Sequence, residues 1–334
     1  MRVIEHFWYR IRPAHLFLLP LSLLFRAIVS IRRRAFLAGW LRRARLPVPV
    51  IVVGNISVGG TGKTPLVLWL AHWLRAQGLH PGIISRGYGG KGAAQRVAPG
   101  ADARVAGDEP VLLAARSGCP VWIGRRRAEA ALRLIEENPQ TDVLISDDGL
   151  QHYALARDAE IAVVDGERRF GNGMMLPAGP LREPRQRLED VDAVVVNGGE
   201  RLDALRTPQY AMQLAGSVLV NLRDPRRTAD PAELVGETVF AVAGIGNPER
   251  FFAHLRRLGL RIRPQPFPDH HPFTQEDLAF AGDAPVVMTQ KDAVKCAAFA
   301  RDNFWYLPVD AQVDDELGRR ILDTLKARHG RQAA

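Results

Sequence analysis

The sequence predicts an α/β protein: a doubly wound, mostly parallel sheet built around a P-loop of the NTPase type, followed by a second, smaller α/β domain. Three observations lead there. Apolar, β-branched runs without polar alternation recur at residues 48–53, 143–147, 161–165 and 191–196, as in strands covered on both faces. Helix-like segments separate most of the strands, which is the pattern of parallel strands joined by crossover helices. One strand-to-helix junction carries Ser57-Val58-Gly59-Gly60-Thr61-Gly62-Lys63-Thr64. The 334 residues suit one large or two ordinary domains, and 47% hydrophobic with 24% charged residues describes a globular chain rather than a disordered one. Two cysteines in unrelated contexts, Cys119 and Cys296, exclude a disulfide framework and a zinc spacing, and point to a reducing compartment.

The net charge of +9 resides at the N-terminus. Residues 1–45 hold ten arginines, no lysine and one acid, Glu5, which leaves 35 basic and 35 acidic residues in the rest of the chain. Beside this charge lies an apolar run, residues 16–25, interrupted by Pro20. It is about half the roughly 20 residues a transmembrane helix needs, and Arg26 separates it from the next apolar residues. No small-x-small cleavage site follows, which argues against a signal peptide. The combination predicts a helix in the membrane interface, with Arg32, Arg33, Arg34, Arg42, Arg43 and Arg45 near anionic head groups. A helix docked on the core with a solvated arginine face is the alternative. Aromatic residues are too sparse in the basic run for a nucleic-acid surface. The expected division is residues 1–35 as an interfacial segment, 36–222 as the P-loop domain, and 223–334 as a second domain closing over the site.

Strand 48–53, the glycine-rich turn and helix 65–74 have the layout of a phosphate cradle. Glycines let backbone N–H groups face phosphate oxygens, Lys63 reaches the β- and γ-phosphates, and the Thr64 hydroxyl suits Mg²⁺. The first position of the general motif is Ser57 instead of glycine. Next come a short strand at 81–85 and a loop with Arg86 and Tyr88. Gly107-Asp108-Glu109-Pro110 opens a helix at 111–116. A strand at 120–123 and a helix at 125–137 precede strand 143–147, which ends in Asp147 and Asp148. Residues 210–222 read as extended, hairpin-type chain and 223–231 as a linker. The second unit has strands at 239–243, near 262, at 286–289 and at 305–307, with helices at 248–258 and 315–327.

Asp147, at a strand end beside the cradle, is placed as a Walker-B metal acid, although strand-end aspartates also serve as turn residues. Asp108 and Glu109 cap a helix N-terminus well, and Asp108 is equally suited to accept a hydroxyl proton. His270 and His271 follow Asp269; neighbours in extended chain face opposite ways, so at most one would act across the interdomain cleft to orient a carboxylate. Gln151 and His152 follow the paired acids closely, and Arg182 lies in a Gly- and Pro-punctuated loop where it could meet phosphate.

Together, Ser57 through Pro65, Ser85-Arg-Gly-Tyr-Gly-Gly90, Gly107-Asp-Glu-Pro110, Asp147-Asp-Gly-Leu-Gln-His152, Leu176 through Pro184, Asp269-His-His271 and Thr289-Gln-Lys-Asp292 resemble the tetraacyldisaccharide 4′-kinase family, the lipid A 4′-kinases of Gram-negative bacteria. Ser57 is no departure from this family's pattern. The resemblance implies transfer of the ATP γ-phosphate, with Mg²⁺, to the 4′-hydroxyl of a tetraacylated glucosamine disaccharide 1-phosphate, by a peripheral protein on the cytoplasmic face of the inner membrane. It implies Asp108, His270 and Lys63 as catalytic residues. Ser57 through Thr64 with Gln151 and His152 would bind ATP, and Thr64, Glu109, Asp147 and Asp148 would serve the metal. Tyr88, Arg127 and Arg182 fall on the substrate side. Apart from the resemblance, the residues leave open a P-loop kinase for a soluble metabolite and a nucleotide-dependent membrane switch.

Overall fold

The structure, a computed structural model, describes residues 8–9, 15–87 and 93–330. Tyr88 lies outside them. Nine strands form the larger sheet: β1 (Val50–Gly54), β2 (Pro81–Ser85), β3 (Gln95–Val97), β4 (Val121–Ile123), β5 (Val143–Asp147), β6 (Ala159–Asp165), β7 (Ala193–Asn197), β8 (Gln209–Ala215) and β15 (Asp310–Val313). Their order is β15-β8-β7-β6-β1-β5-β2-β4-β3. The seven from β8 to β4 run parallel, and β15 and β3 pair antiparallel at the two edges. Every residue of β1, β5 and β7 is buried, because each face is covered. Helices Lys63–Ala76 and Asp108–Arg116 supply Leu66, Leu70, Leu74 and Leu113 to one core, and helix Arg127–Glu137 supplies Ala130, Ala131 and Leu134 to the other. The carboxyl ends of β1 and β5 thus deliver the cradle and Asp147 to the same edge, where doubly wound sheets bind ligands.

The second sheet comprises β9 (Leu219–Asn221), β10 (Thr228–Ala229), β11 (Val239–Ala243), β12 (Ile262–Pro266), β13 (Val286–Thr289) and β14 (Phe304–Leu307), in the order β10-β9-β14-β13-β11-β12. Helix Pro248–Arg257 packs Phe251, Phe252 and Leu255 on one face, while Phe273, Leu278 and Cys296 fill the other.

Two expectations about this half are corrected. Residues 210–222 do not form a hairpin: β8 stays in the first sheet and β9 belongs to the second. Nor does the chain stay in the second unit after residue 223. β15 pairs with β8, from Asp310↔Ala215 to Val313↔Met212, and helix Asp315–Gly330 packs Leu317, Ile321 and Leu325 into the first core. A four-residue edge strand carries too little periodicity to announce such a return. Gly318 on that helix lies against the Trp73 ring, with no room for a Cβ. Gly318→Ala should therefore destabilise the protein by about 1–3 kcal/mol through overpacking, read as a lower midpoint in denaturant unfolding.

The N-terminal helix is longer than its apolar run predicts. It spans His15–Leu37 as 23 continuous residues with Pro20 inside, so that by length and composition it would suffice to cross a membrane. One stripe docks on the first domain along its full length. His15, Ser22 and Phe36 are buried, and Phe25 and Val29 pack on the second core. Ser22 Oγ donates to the Met175 carbonyl at 2.8 Å, and Arg33 pairs with Asp190 at 2.9 Å. Phe17, Leu21, Leu24, Ile28 and Ile31, spaced by four, three, four and three residues, are exposed.

Candidate active site

The cradle is held from below by two asparagines. Asn55 Nδ2 donates to the Gly59 carbonyl and to Thr61 Oγ1, both at 3.3 Å, and Asn197 Nδ2 donates to the Thr61 carbonyl at 3.0 Å. Gly62 has φ +96° and abuts Asn197, so a side chain there is excluded by both conformation and space. The Val58 N–H is taken by the Pro180 carbonyl at 2.8 Å, so Ser57 and Val58 anchor the loop, while Gly60 through Thr64 line a cavity of about 450 Å³. Glu109, Asn197 and Gly198 line it from the same domain, and Gly246, Asn247 and Thr289 through Lys291 from the second. The two halves nearly touch, because a Cβ on Gly246 would strike the Gly60 nitrogen. Arg168 clasps both, donating to the Gly60 and Gly246 carbonyls at 2.6 Å each, and is itself held by buried Asp165, which also takes Arg250 at 2.8 Å.

Asp148 pairs with the cradle lysine, and Asp147 lies within reach of its charge. Lys63 Nζ lies 3.4 Å from Asp148, which Arg182 approaches at 3.3 Å. Burial raises the Asp148 carboxyl, but the charges of Lys63, Arg182 and Arg127 prevail and hold it well below the usual carboxylate range. Its φ of +46° is a conformation that non-glycine residues rarely adopt, and it turns the side chain toward Lys63. Asp147 behaves in the opposite way. Full burial, then the negative charges of Glu109 and Asp148, push it up to about 7 against the pull of Lys63 and Arg127. Ser85 Oγ donates to Asp147 Oδ2 at 3.2 Å, while buried Oδ1 has no hydrogen-bond partner. An unsatisfied carboxylate oxygen among like charges, beside a phosphate cradle, is what a divalent cation relieves. No group of three His, Cys, Asp or Glu side chains suited to a metal occurs among the described residues. That fits Mg²⁺, which takes one or two carboxylates and completes its shell with water and phosphate oxygens.

Across the domain gap, His270 Nδ1 donates to both oxygens of Asp108 at 3.1 Å. Lys295 lies 3.6 Å and Lys291 3.9 Å from the same carboxylate. Burial raises Asp108, but the His270 hydrogen bond and the charges of Lys291, His270 and Lys295 outweigh it, and the group stays far below its ordinary range. The same hydrogen bond raises His270 above its ordinary value of 6.5. His271 faces away, bonded to Asp277 at 3.1 Å and packed on Phe267 and Phe273. The two histidines face apart, but through a turn in which His270 has φ +58° and not through the alternation of extended chain.

Other expected residues sit differently. Arg127 is 3% exposed and donates to Ser146 Oγ at 3.1 Å and to the Asp148 carbonyl at 2.8 Å, so it braces the acidic turn from beneath and has no face toward a substrate. Gln151 Nε2 is occupied by the Asn55 carbonyl at 2.9 Å and Glu183 at 2.8 Å; it steadies the strand behind the cradle. His152, like Gln151, does not line the cavity; burial and then the charges of Arg127, Arg157, Arg32 and Arg86 lower it to about 4, so it is neutral. Lys291, Asp269, Lys295, Asn197 and Arg168 were not anticipated in the site. The signals for Lys291 and Asp269 were their places in Thr289-Gln-Lys-Asp292 and Asp269-His-His271; the others carry no local signal.

The raised His270 gives a pH dependence with a definite sign. While His270 is charged, Asp108 is the weaker proton acceptor, so turnover should rise with pH through a midpoint above 6.5. The ion pair's contribution to stability runs the other way, full below that value and lost above it. His270→Gln should remove this limb and lower kcat by about tenfold or more, measured as kcat between pH 5 and 9.

The family model described as Tetraacyldisaccharide-1-P 4′-kinase matches residues 14–326. Tetraacyldisaccharide 4′-kinases of Methylobacillus flagellatus and Nitrosococcus oceani are 51% and 50% identical, covering 97% of this chain in each case and 96% and 94% of the relatives. A crystal structure of LpxK from Aquifex aeolicus in complex with ATP superposes with a TM-score of 0.77 at 30% identity, over 93% of this chain and 99% of the other. The matches span nearly the whole chain, and the chain belongs to the tetraacyldisaccharide 4′-kinase family.

Proposed function

We propose that the cavity binds Mg·ATP and that the kinase transfers the γ-phosphoryl group to the 4′-hydroxyl of a tetraacylated glucosamine disaccharide 1-phosphate in lipid A biosynthesis. The observation that carries this reading is the contact of buried Asp108 with half-exposed His270, contributed by two domains, one residue from a cavity that also holds Lys63. Phosphoryl transfer asks little covalent chemistry of a protein; it needs alignment and neutralised charge. Lys63 and the N–H groups from Gly60 to Thr64 supply both on the phosphate side. Asp108 receives the hydroxyl proton, and His270 orients the carboxylate. Thr64 with one or two of Asp147, Asp148 and Glu109 would hold Mg²⁺, which when bound would neutralise phosphate oxygens. Transfer of label from γ-labelled ATP to the disaccharide lipid in mixed micelles tests the reading. A purified protein that binds no Mg·ATP, or labels no lipid, would overturn it.

The lipid is reached from the membrane surface. Helix His15–Leu37 is docked along one entire stripe, so it lies on the body instead of leaving it, and its apolar stripe points outward with Arg26, Arg34, Arg42 and Arg43 exposed nearby. This suits insertion to the depth of one helix face in an anionic leaflet, on the cytoplasmic side where ATP is available. Arg32 donates to the Gln151 carbonyl at 3.3 Å, joining the helix to the turn behind the cradle. Phe17→Asp combined with Leu24→Asp should weaken binding to anionic vesicles by about 100-fold, since each loses roughly 1.5 kcal/mol or more of apolar insertion. Unchanged vesicle co-sedimentation would refute an interfacial role for this face.

A further inference from the structure

Lys291 has no role in the reading above, yet it lines the nucleotide cavity from the side opposite the cradle. It sits in the first turn of helix Gln290–Cys296, fixed by Thr289, whose Oγ1 caps the Asp292 N–H at 3.1 Å. Its ammonium is surrounded by acids: Glu109 at 3.0 Å, Asp269 at 3.5 Å and Asp108 at 3.9 Å. Burial opposes its charge, but those three carboxylates prevail and keep it protonated. A simple tie between domains does not need this arrangement, because Arg116 already provides one. Arg116 donates to Gln290 at 2.8 Å, to the Val309 carbonyl at 3.2 Å and to Asp310 at 2.8 Å. Nor would Asp108 be stranded if Lys291 moved, since Lys295 and His270 remain beside it.

We propose that Lys291 is a catalytic residue: a second phosphate cation, carried by the second domain, that exchanges Glu109 for the γ-phosphoryl group in the ternary complex. The inference rests on the cavity being the Mg·ATP site. In the transfer, a bond forms from the sugar oxygen to Pγ. The bond from Pγ to the β–γ bridging oxygen breaks with its electron pair leaving on ADP, and the hydroxyl proton passes to Asp108. Charge then spreads over the three γ-oxygens, with Lys63 on one side and Lys291 on the other. Glu109, released from the ammonium, turns to the metal.

The test compares wild type with Lys291→Met and Lys291→Arg, measuring kcat, melting temperature, and affinity for Mg·ATP and for Mg·ADP by calorimetry. Lys291→Met should lower kcat by about 10²–10³, the effect of removing one preorganised charge-stabilising donor. It should weaken Mg·ATP by about tenfold while Mg·ADP binding stays within twofold, because only ATP carries the γ-phosphate. Lys291→Arg should recover part of both losses. Equal weakening of ATP and ADP would show a structural latch and overturn the proposal, as would a kcat within threefold of wild type. If Lys291→Met melts too early to assay, the Lys291→Arg comparison of the two nucleotides decides by the same criterion. Failure of the wild type to bind Mg·ATP would instead sink the underlying reading, before any lysine variant is made.

Discussion

Replacing Asp108 by asparagine should lower kcat by about 10²–10⁴, with the KM for ATP little changed. The side chain is 6% exposed and fixed by His270, so Asp108→Asn keeps the shape and removes the charge. An acceptor held so far below its ordinary range is a poor base at rest. It suffices here because a loose transfer needs the proton removed only late, as the sugar oxygen becomes bonded to phosphorus. What the low value secures is that the carboxylate is ionised at every working pH and points its lone pairs at the acceptor. Steady-state kinetics with Mg·ATP and the lipid in micelles gives the comparison, and full turnover by Asp108→Asn would remove Asp108 from the mechanism.

Lys63→Met should have a still broader effect, lowering kcat/KM by at least about 10³ and depressing Mg·ATP affinity measured by calorimetry. Lys63 is 8% exposed and is the charge that lowers Asp148 most. Without it, Asp147 and Asp148 face Glu109 with less compensation, and the Asp147 carboxyl should be raised further. The loss thus reaches both the phosphates and the acids proposed for the metal, which is why the variant should fail in binding as well as in turnover. Normal Mg·ATP affinity in Lys63→Met would mean that the cradle is not where the triphosphate sits.

The parts of this site written in neighbouring residues were readable in the sequence. Strand β1, the glycines and Lys63-Thr64 follow one another, and the chemistry of phosphate binding is local to that turn. Asp147 ends an uninterrupted apolar run and could be placed on the ligand edge from that alone. The Asp108–His270 contact joins residues 162 apart in the chain; no periodicity encodes it, and only the family resemblance pointed to it. The family resemblance places Arg127 on the substrate side, whereas its guanidinium is enclosed under the Asp148 turn. The helix His15–Leu37 was underestimated because Pro20 and Arg26 were read as interruptions. Pro20 removes one helical N–H near the start, and Arg26 extends to solvent, so neither stops the helix. The sequence motif around Lys291 did not reveal its role, because its partners come from two distant segments, Asp108-Glu109 and Asp269.

The return of the chain to the first sheet after Leu307 changes what the upper lobe is. It is an insertion between β8 and β15, two adjacent antiparallel partners, and is therefore leashed at both ends to one edge of the kinase body. A lobe on a single tether could swing in any direction. One on paired strands is held at both ends, so His270 and Lys291 are set together against Asp108. Helix Asp315–Gly330 bears no proposed catalytic group, yet by packing Leu317, Ile321 and Leu325 into the first core it anchors the second leash, β15, to the kinase body.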